Sequence, residues 1–159
     1  MSLSVPFVAA LITLTPIFEL RGGIPYALTQ GMPVVAAFVL CVVVNAAVGP
    51  IAFLFLGTVH RWLSRFERYE RLVGRLLVRA RSKVEVKVGK YGYWGLALFV
   101  AIPLPVTGAY TGALGAWVLG LDPKRSYLAI TLGVVIAGIV VSAVTLLGIE
   151  ALSIFIKNV

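Results

Sequence analysis

The chain has 159 residues, of which 60% are hydrophobic and only 13% are charged, about half the charged share of an average soluble domain. A globule of this size cannot hide so much apolar surface from water, so the composition excludes an ordinary soluble enzyme. The formal net charge is nevertheless +8 and the pI is ≈ 10.1, which raises the question of where the basic residues lie.

Most of the basic residues lie in one central segment. Ten of the 14 Lys and Arg residues fall within residues 61–90, together with three acids, so this segment has a net charge of +7. The uncharged stretches 34–59, 91–121 and 126–149 flank it, and each is long enough for a membrane-spanning helix of roughly 20 residues. We therefore predict an all-α integral protein of the cell membrane with several passes.

The N-terminal apolar stretch is interrupted by two charges, two glycines and a proline: Glu19, Arg21, Gly22, Gly23 and Pro25. Such a segment cannot form the middle of a simple spanning helix. The pattern predicts a re-entrant helical hairpin that descends to Phe18, turns at residues 19–23 and returns through residues 26–30. A long transmembrane helix over residues 34–59 follows.

A second interruption divides the stretch 91–121 near its middle, at Pro103, Pro105, Thr107 and Gly108. Each arm is short for a full crossing, so a second re-entrant hairpin is predicted, followed by a transmembrane helix over residues 126–149.

The two halves follow the same order of features, which predicts a single membrane domain over residues 1–159 built from an inverted repeat. Repeat 1 covers about residues 5–59, a basic connector covers residues 60–90, and repeat 2 covers about residues 91–155. The alternative is that any two units of a hairpin and a helix look alike. Interrupted apolar segments at matching positions of two halves are typical of a transporter binding site.

Charge sets the predicted orientation, because basic segments stay in the cytoplasm. The segment 61–90 is therefore expected to be cytoplasmic, as are Lys124 and Arg125 if the second hairpin enters from that side. A four-spanning arrangement would instead place both outside.

The connector is predicted to be an amphipathic helix that lies on the membrane surface. Five arginines recur at helical spacing and are expected to bind anionic lipid headgroups: Arg61, Arg65, Arg68, Arg75 and Arg79. A solvated loop is the alternative. Nucleic acid is not an expected partner, because the membrane already accounts for the charge.

Glu19 and Arg21 are the strongest candidates for function, because a charge at the centre of a bilayer costs about 2.5 kcal/mol or more. Glu19 is expected to bind a proton or another coupling ion. Arg21 is expected to bind an anionic group or to act as a gate, since its planar guanidinium suits phosphate. The alternative is a pair at the membrane interface that fixes the depth of the hairpin.

Residues around both interruptions are the candidates for substrate binding, because a broken helix frees backbone groups. They are Gly22, Gly23, Pro25, Pro103, Pro105, Thr107, Gly108, Tyr110 and Thr111. Gly108 and Gly112 also fit a packing contact of small residues. Asn45 fits either a cavity lining or an interhelical contact, and Asp122 fits a turn or a helix cap.

A catalytic or metal site is not expected from the residues available. The sequence has one Cys and one His, and no paired carboxylates or phosphate-binding loop. We therefore predict neither metal nor cofactor nor enzymatic activity.

Residues 16–25 (PIFELRGGIP) and 103–112 (PLPVTGAYTG) resemble the family of small multidrug export membrane proteins. That family is similar in layout to the DedA superfamily, whose members pair two opposed re-entrant hairpins. The resemblance implies ion-coupled transport, with a polyprenyl phosphate as a plausible lipid substrate. DedA proteins carry acids and arginines in both motifs, whereas the second motif here has neither, so only Glu19 and Arg21 correspond.

The sequence therefore predicts a small proton- or ion-coupled transporter of an amphipathic substrate such as a polyprenyl phosphate lipid carrier. The alternatives are a small multidrug exporter of amphipathic cations and a non-transporting scaffold or scramblase. Two hairpins and two crossings make a thin bundle, so a homo-oligomer is expected.

Overall fold

The computed structural model describes residues 4–63, 91–104 and 107–157, and the regular elements within these ranges are all α-helices. In chain order they are α1 (Ser4–Leu14), α2 (Glu19–Thr29), α3 (Val34–Leu63), α4 (Tyr91–Ala101), α5 (Ala109–Val118) and α6 (Pro123–Lys157). The all-helical fold expected from the composition is confirmed.

Two of these helices are long and apolar enough to cross a membrane. The candidate spans are Val34–Thr58 in α3 and Pro123–Glu150 in α6. Both carry large apolar side chains that are exposed, such as Val35, Leu54 and Leu147. Exposed apolar faces of this extent fit contact with lipid. The other described helices have at most 11 residues.

The chain divides into two compact units. The first unit comprises Met1–Asn45 and Val135–Val159, and the second unit comprises Ala46–Val134. The first unit therefore contains α1, α2, the beginning of α3 and the end of α6. The second unit contains the end of α3, α4, α5 and the beginning of α6.

In the first unit, α1 and α2 form a hairpin held by close packing of small residues. Gly23 on α2 lies against Thr13 and the backbone of Ala9 on α1, where an added Cβ would clash. Ala9 and Ala27 are fully buried in the same cluster. The end of α1, at Thr13, therefore lies against the early part of α2, at Gly23. The middle of α1, at Ala9, lies in one cluster with Ala27 in the later part of α2. This order of contacts is that of an antiparallel pair.

The turn of this hairpin is not where the sequence analysis placed it. Residues 15–18 connect the two helices, and α2 begins at Glu19. The prediction of a turn at residues 19–23 is therefore wrong. Gly22 and Gly23 are helical, and both are closely packed, Gly22 against Ile12 and Phe18. Glycine serves helix packing here rather than chain reversal.

In the second unit, α4 and α5 flank the predicted interruption at residues 102–108. Gly112 on α5 approaches Val100 on α4 so closely that an added Cβ would lie 2.6 Å from Cγ2 of that valine. An added Cβ at Gly133 on α6 would likewise lie 2.6 Å from the backbone oxygen of Ala97. The packing contact expected from the small residues is therefore confirmed for Gly112.

The turns after α2 and after α5 have the same construction. Gly31 and Gly120 have positive φ values of 78° and 65°. Each donates its N–H to a carbonyl three residues earlier, and the next residue donates to a carbonyl five residues earlier, all at 3.0 Å. This is the Schellman motif, in which a left-handed glycine ends a helix. Pro33 and Pro123 follow at the start of the next helix.

Candidate functional site

Glu19 begins α2 in an unusual conformation. Its side chain is only 6% exposed. Its φ is +50°, and it is the only residue other than glycine with a positive φ in the described part of the chain. Its N–H donates to the carbonyl of Thr15 at 3.0 Å. Left-handed backbone costs a residue with a side chain about 1–2 kcal/mol, so the surrounding packing must enforce it.

Asn45 on α3 is the hydrogen-bond partner of Glu19. Its Nδ2 donates to Oε2 of Glu19 at 3.4 Å, and its side chain is 1% exposed. Its Oδ1 is buried and has no hydrogen-bond partner among the described residues. The sequence analysis named Asn45 only as a cavity or interhelical residue. Its pairing with Glu19 was missed, because nothing in the sequence links two positions 26 residues apart.

Arg21 lies half-buried two residues after Glu19. Its guanidinium and the Glu19 carboxylate attract each other electrostatically. Pro25, one turn later inside α2, has no N–H to donate to the carbonyl of Arg21. The first turn of α2 therefore brings together a carboxylate, a guanidinium and a carbonyl without its helical donor.

The polar groups of the second interruption are satisfied locally. The Thr107 hydroxyl donates to the carbonyl of Ile102 at 2.6 Å and accepts from the N–H of Leu104 at 3.2 Å. Thr111 donates to the carbonyl of Gly108 at 3.3 Å. Gly108 precedes α5 with φ 149° and ψ −167°, a conformation reserved for glycine. Pro103 is half-buried, and Pro105 lies outside the described residues.

Tyr110 and Thr111 line an apolar cavity in the second unit. It has a volume of about 450 Å³. Its other lining residues come from α3 and α5 and are all apolar: Ile51, Ala52, Phe55, Leu56 and Leu114. A cavity with an apolar wall and two hydroxyl groups suits the apolar part of an amphipathic molecule.

The remaining candidate residues fall into two groups. Asp122 caps α6, because its Oδ1 accepts a hydrogen bond from the N–H of Arg125 at 2.9 Å. A helix cap was one of the two roles predicted for this residue. Arg61 lies in the last turn of α3, but its side chain is outside the described part of the structure. The other arginines of the connector lie in residues 64–90, which the structure does not describe. Their binding of lipid stays a prediction.

Among the described residues, no group of three or more His, Cys, Asp and Glu side chains could hold a metal ion. Cys41 is a free, buried thiol.

Comparison with known proteins identifies the family. A family model described as "putative small multi-drug export protein" matches residues 19–140, a range that contains both interruptions and all of α3. No curated protein and no solved structure matches the chain. The likeness in layout to the DedA superfamily stays a prediction. Because the match covers well over half of a chain with two helices able to cross a membrane, the chain belongs to the small multi-drug export family of membrane proteins.

Proposed function

We propose that the chain is a small transporter that couples movement of an amphipathic substrate to a proton or another ion. Glu19 is the coupling site and Arg21 is the anion-binding or gating residue. The observation that carries this proposal is the burial of the Glu19 carboxylate on a strained backbone, against Asn45 and beside Arg21. Ionisable groups kept in such surroundings are typical of ion pathways in membrane proteins.

Helix lengths support a re-entrant position for this site. α1 and α2 have 11 residues each, or about 16 Å, which is near half of a hydrocarbon core of about 30 Å. Asn45 lies about three turns, again roughly 16 Å, from the start of the α3 span at Val34. With Val34 at the outer boundary of the bilayer, both Asn45 and the Glu19 bonded to it lie near the midplane.

Matching burial in the two halves supports the repeat. At the spacing that separates Gly31 from Gly120, six pairs of positions are at most 1% exposed. They are Leu20 and Ala109, Ile24 and Ala113, Ala27 and Ala116, Ala37 and Ser126, Cys41 and Ile130, and Asn45 and Val134. Glu19 and Gly108 correspond at the same spacing, and both have positive φ.

The repeat is inverted if both hairpins re-enter the face from which they came. With the segment 61–90 in the cytoplasm, α3 then runs inward and α6 runs outward. The two Gly-containing turns lie on opposite sides of the membrane. Anionic lipids at the connector and a homo-oligomer complete the proposed arrangement.

The substrate class is proposed from the surroundings of Glu19. Arg21 attracts the carboxylate, and Asn45 donates to it, so the site is poorly suited to a second cation. Arg21 instead suits a phosphate, because its planar guanidinium can form two parallel hydrogen bonds to it. These features favour a lipid phosphate such as a polyprenyl phosphate. The family description favours the second candidate, an amphipathic cationic drug.

Reconstituted liposomes test the function and the site together. Labelled polyprenyl phosphate and a cationic dye are offered separately across an imposed pH gradient. Glu19→Gln and Arg21→Ala are expected to abolish most of the pH-dependent flux of the true substrate. Glu150→Gln and Arg125→Ala, which remove the same charges at exposed positions of α6, are expected to leave that flux unchanged.

Each other result contradicts a defined part of the proposal. If the wild-type protein moves neither probe, it is not a transporter of these classes. If it moves lipid without any response to pH, it is a scramblase. If the two site variants retain the pH-dependent flux, Glu19 and Arg21 only anchor the hairpin.

A further inference from the structure

Asn45 presents an unusual hydrogen-bonding problem. An ionised carboxylate can only accept hydrogen bonds, so the amide must direct its Nδ2–H toward Glu19, as observed. Its Oδ1 then has no partner among the described residues, although the side chain is 99% buried. A buried acceptor left without a donor typically costs about 1–3 kcal/mol.

Protonation of Glu19 supplies a hydrogen-bond donor for Oδ1. The neutral carboxyl group gains one O–H, and the buried Oδ1 is an acceptor that can receive it. A half-turn of the Asn45 amide exchanges its Nδ2 and Oδ1, so that the O–H of Glu19 donates to Oδ1. The same two side chains therefore form a hydrogen bond in either protonation state, but with the amide reversed.

We infer that Asn45 is a positioning residue that switches its amide orientation as Glu19 binds and releases a proton. The inference rests on the proposed function, and it names the coupling ion as a proton. A metal cation would lie beside the guanidinium of Arg21, which repels it, whereas a proton neutralises the carboxylate by a covalent bond.

Titratable side chains lie on several helices of the first unit. α1 contributes no titratable side chain. α2 contributes Tyr26 and Arg21, whose positive charge attracts the carboxylate. α3 contributes the buried thiol of Cys41, and the part of α6 in the same unit carries Glu150.

The sequence offers a direct way to observe the amide. Its only asparagines are Asn45 and Asn158. In Asn158→Gln, incorporation of asparagine labelled with ¹³C and ¹⁵N in its side chain reports on Asn45 alone. The protein is titrated in lipid nanodiscs, with NMR for the Asn45 amide and infrared spectroscopy for the Glu19 carboxyl. Neither readout depends on transport.

The Asn45 amide resonances are expected to move with pH at the same midpoint as the Glu19 carboxyl band, and to become independent of pH in Glu19→Gln. Asn45→Val, which copies Val134 from the equivalent position, removes a charge-assisted donor. Because the substitution removes the hydrogen-bond partner of both protonation states, it is expected to shift the midpoint of Glu19 by about 0.5–1 pH unit. Thr145→Val, whose hydroxyl bonds only to its own helix, is the control and leaves the midpoint unchanged.

The possible results distinguish failure of the Asn45 switch from failure of the proposed transport function. If Glu19 titrates while the Asn45 resonances stay constant, or if Asn45→Val leaves the midpoint in place, the switch is wrong and Glu19 can still couple transport. If Glu19 shows no titration although the protein accumulates substrate, the coupling ion is not a proton. If both are absent, the switch and the proposed function fail together.

Discussion

Single residues in the first unit have roles that their type alone would not predict. Glu19 is a charged residue in a backbone conformation that suits glycine. Gly23 is a residue usually associated with turns, yet it lies inside a helix against Thr13. In both cases the packing between helices decides the conformation, and local propensity does not.

Substitution of Gly23 tests the close packing of the first hairpin. In Gly23→Ala, the new Cβ would clash with Oγ1 of Thr13 and lie 3.0 Å from the carbonyl oxygen of Ala9. We expect overpacking to cost about 1–3 kcal/mol, more than the roughly 0.5–1 kcal/mol that alanine contributes to a helix. The melting temperature of the purified protein in detergent should therefore fall.

Gly57→Ala is the matched control, because Gly57 is also helical and has no atom within 4 Å of the added Cβ. Its melting temperature should stay the same or rise. Equal effects of the two substitutions would show that the hairpin is not tightly packed at Gly23.

At the site, sequence reasoning named candidates where charged residues are rare, and it failed where packing decides. Glu19 and Arg21 were identified because charges are scarce in apolar segments. Asn45 was not identified as a partner of Glu19, since a single Asn in a helix gives no sign of which neighbour it bonds. The glycines were misassigned to a turn, because sequence does not distinguish a glycine that bends the chain from one that admits a neighbouring helix.

At the scale of elements, the two turns that end in left-handed glycines provide the sharpest comparison. Gly31 and Gly120 have open space around an added Cβ, so only backbone strain opposes alanine at either position. Gly31→Ala and Gly120→Ala should each lower the free energy of unfolding by about 1–2 kcal/mol. Thermal or denaturant unfolding in detergent measures both.

Gly148→Ala serves as the control for these turns, since Gly148 is helical with equally open surroundings. It should be neutral or stabilising. A loss of stability in only one of the two turn variants would argue against equivalent halves.

The long helices were the most predictable elements. The stretch 34–59 predicted α3 almost to its ends, because an uninterrupted apolar run of this length permits only a helix in lipid. α6 begins three residues before the predicted 126, since Asp122 caps it and Pro123 fits its first position. The break between α4 and α5 fell where the prolines remove backbone donors.

At the scale of the whole molecule, labelling from each side of the membrane tests the proposed topology. Lys124 is exposed just after the start of α6, and Gln30 is exposed in the turn after α2. In a Cys41→Ala background, Lys124→Cys should react with a membrane-impermeant maleimide only from the cytoplasmic side. Gln30→Cys should react only from the outside.

A four-spanning arrangement makes the opposite prediction for Lys124. Labelling of Lys124→Cys from outside would therefore exclude the second re-entrant hairpin, and with it the inverted arrangement of the halves.

Glu19 as the coupling site is tested most directly by comparing accumulation with exchange in proteoliposomes. Glu19→Gln keeps the side chain neutral, as a bound proton does, so the protein should still exchange labelled for unlabelled substrate. It should lose accumulation driven by a pH gradient, while Glu150→Gln retains both activities. Accumulation by Glu19→Gln at the wild-type rate would contradict the central role of this carboxylate.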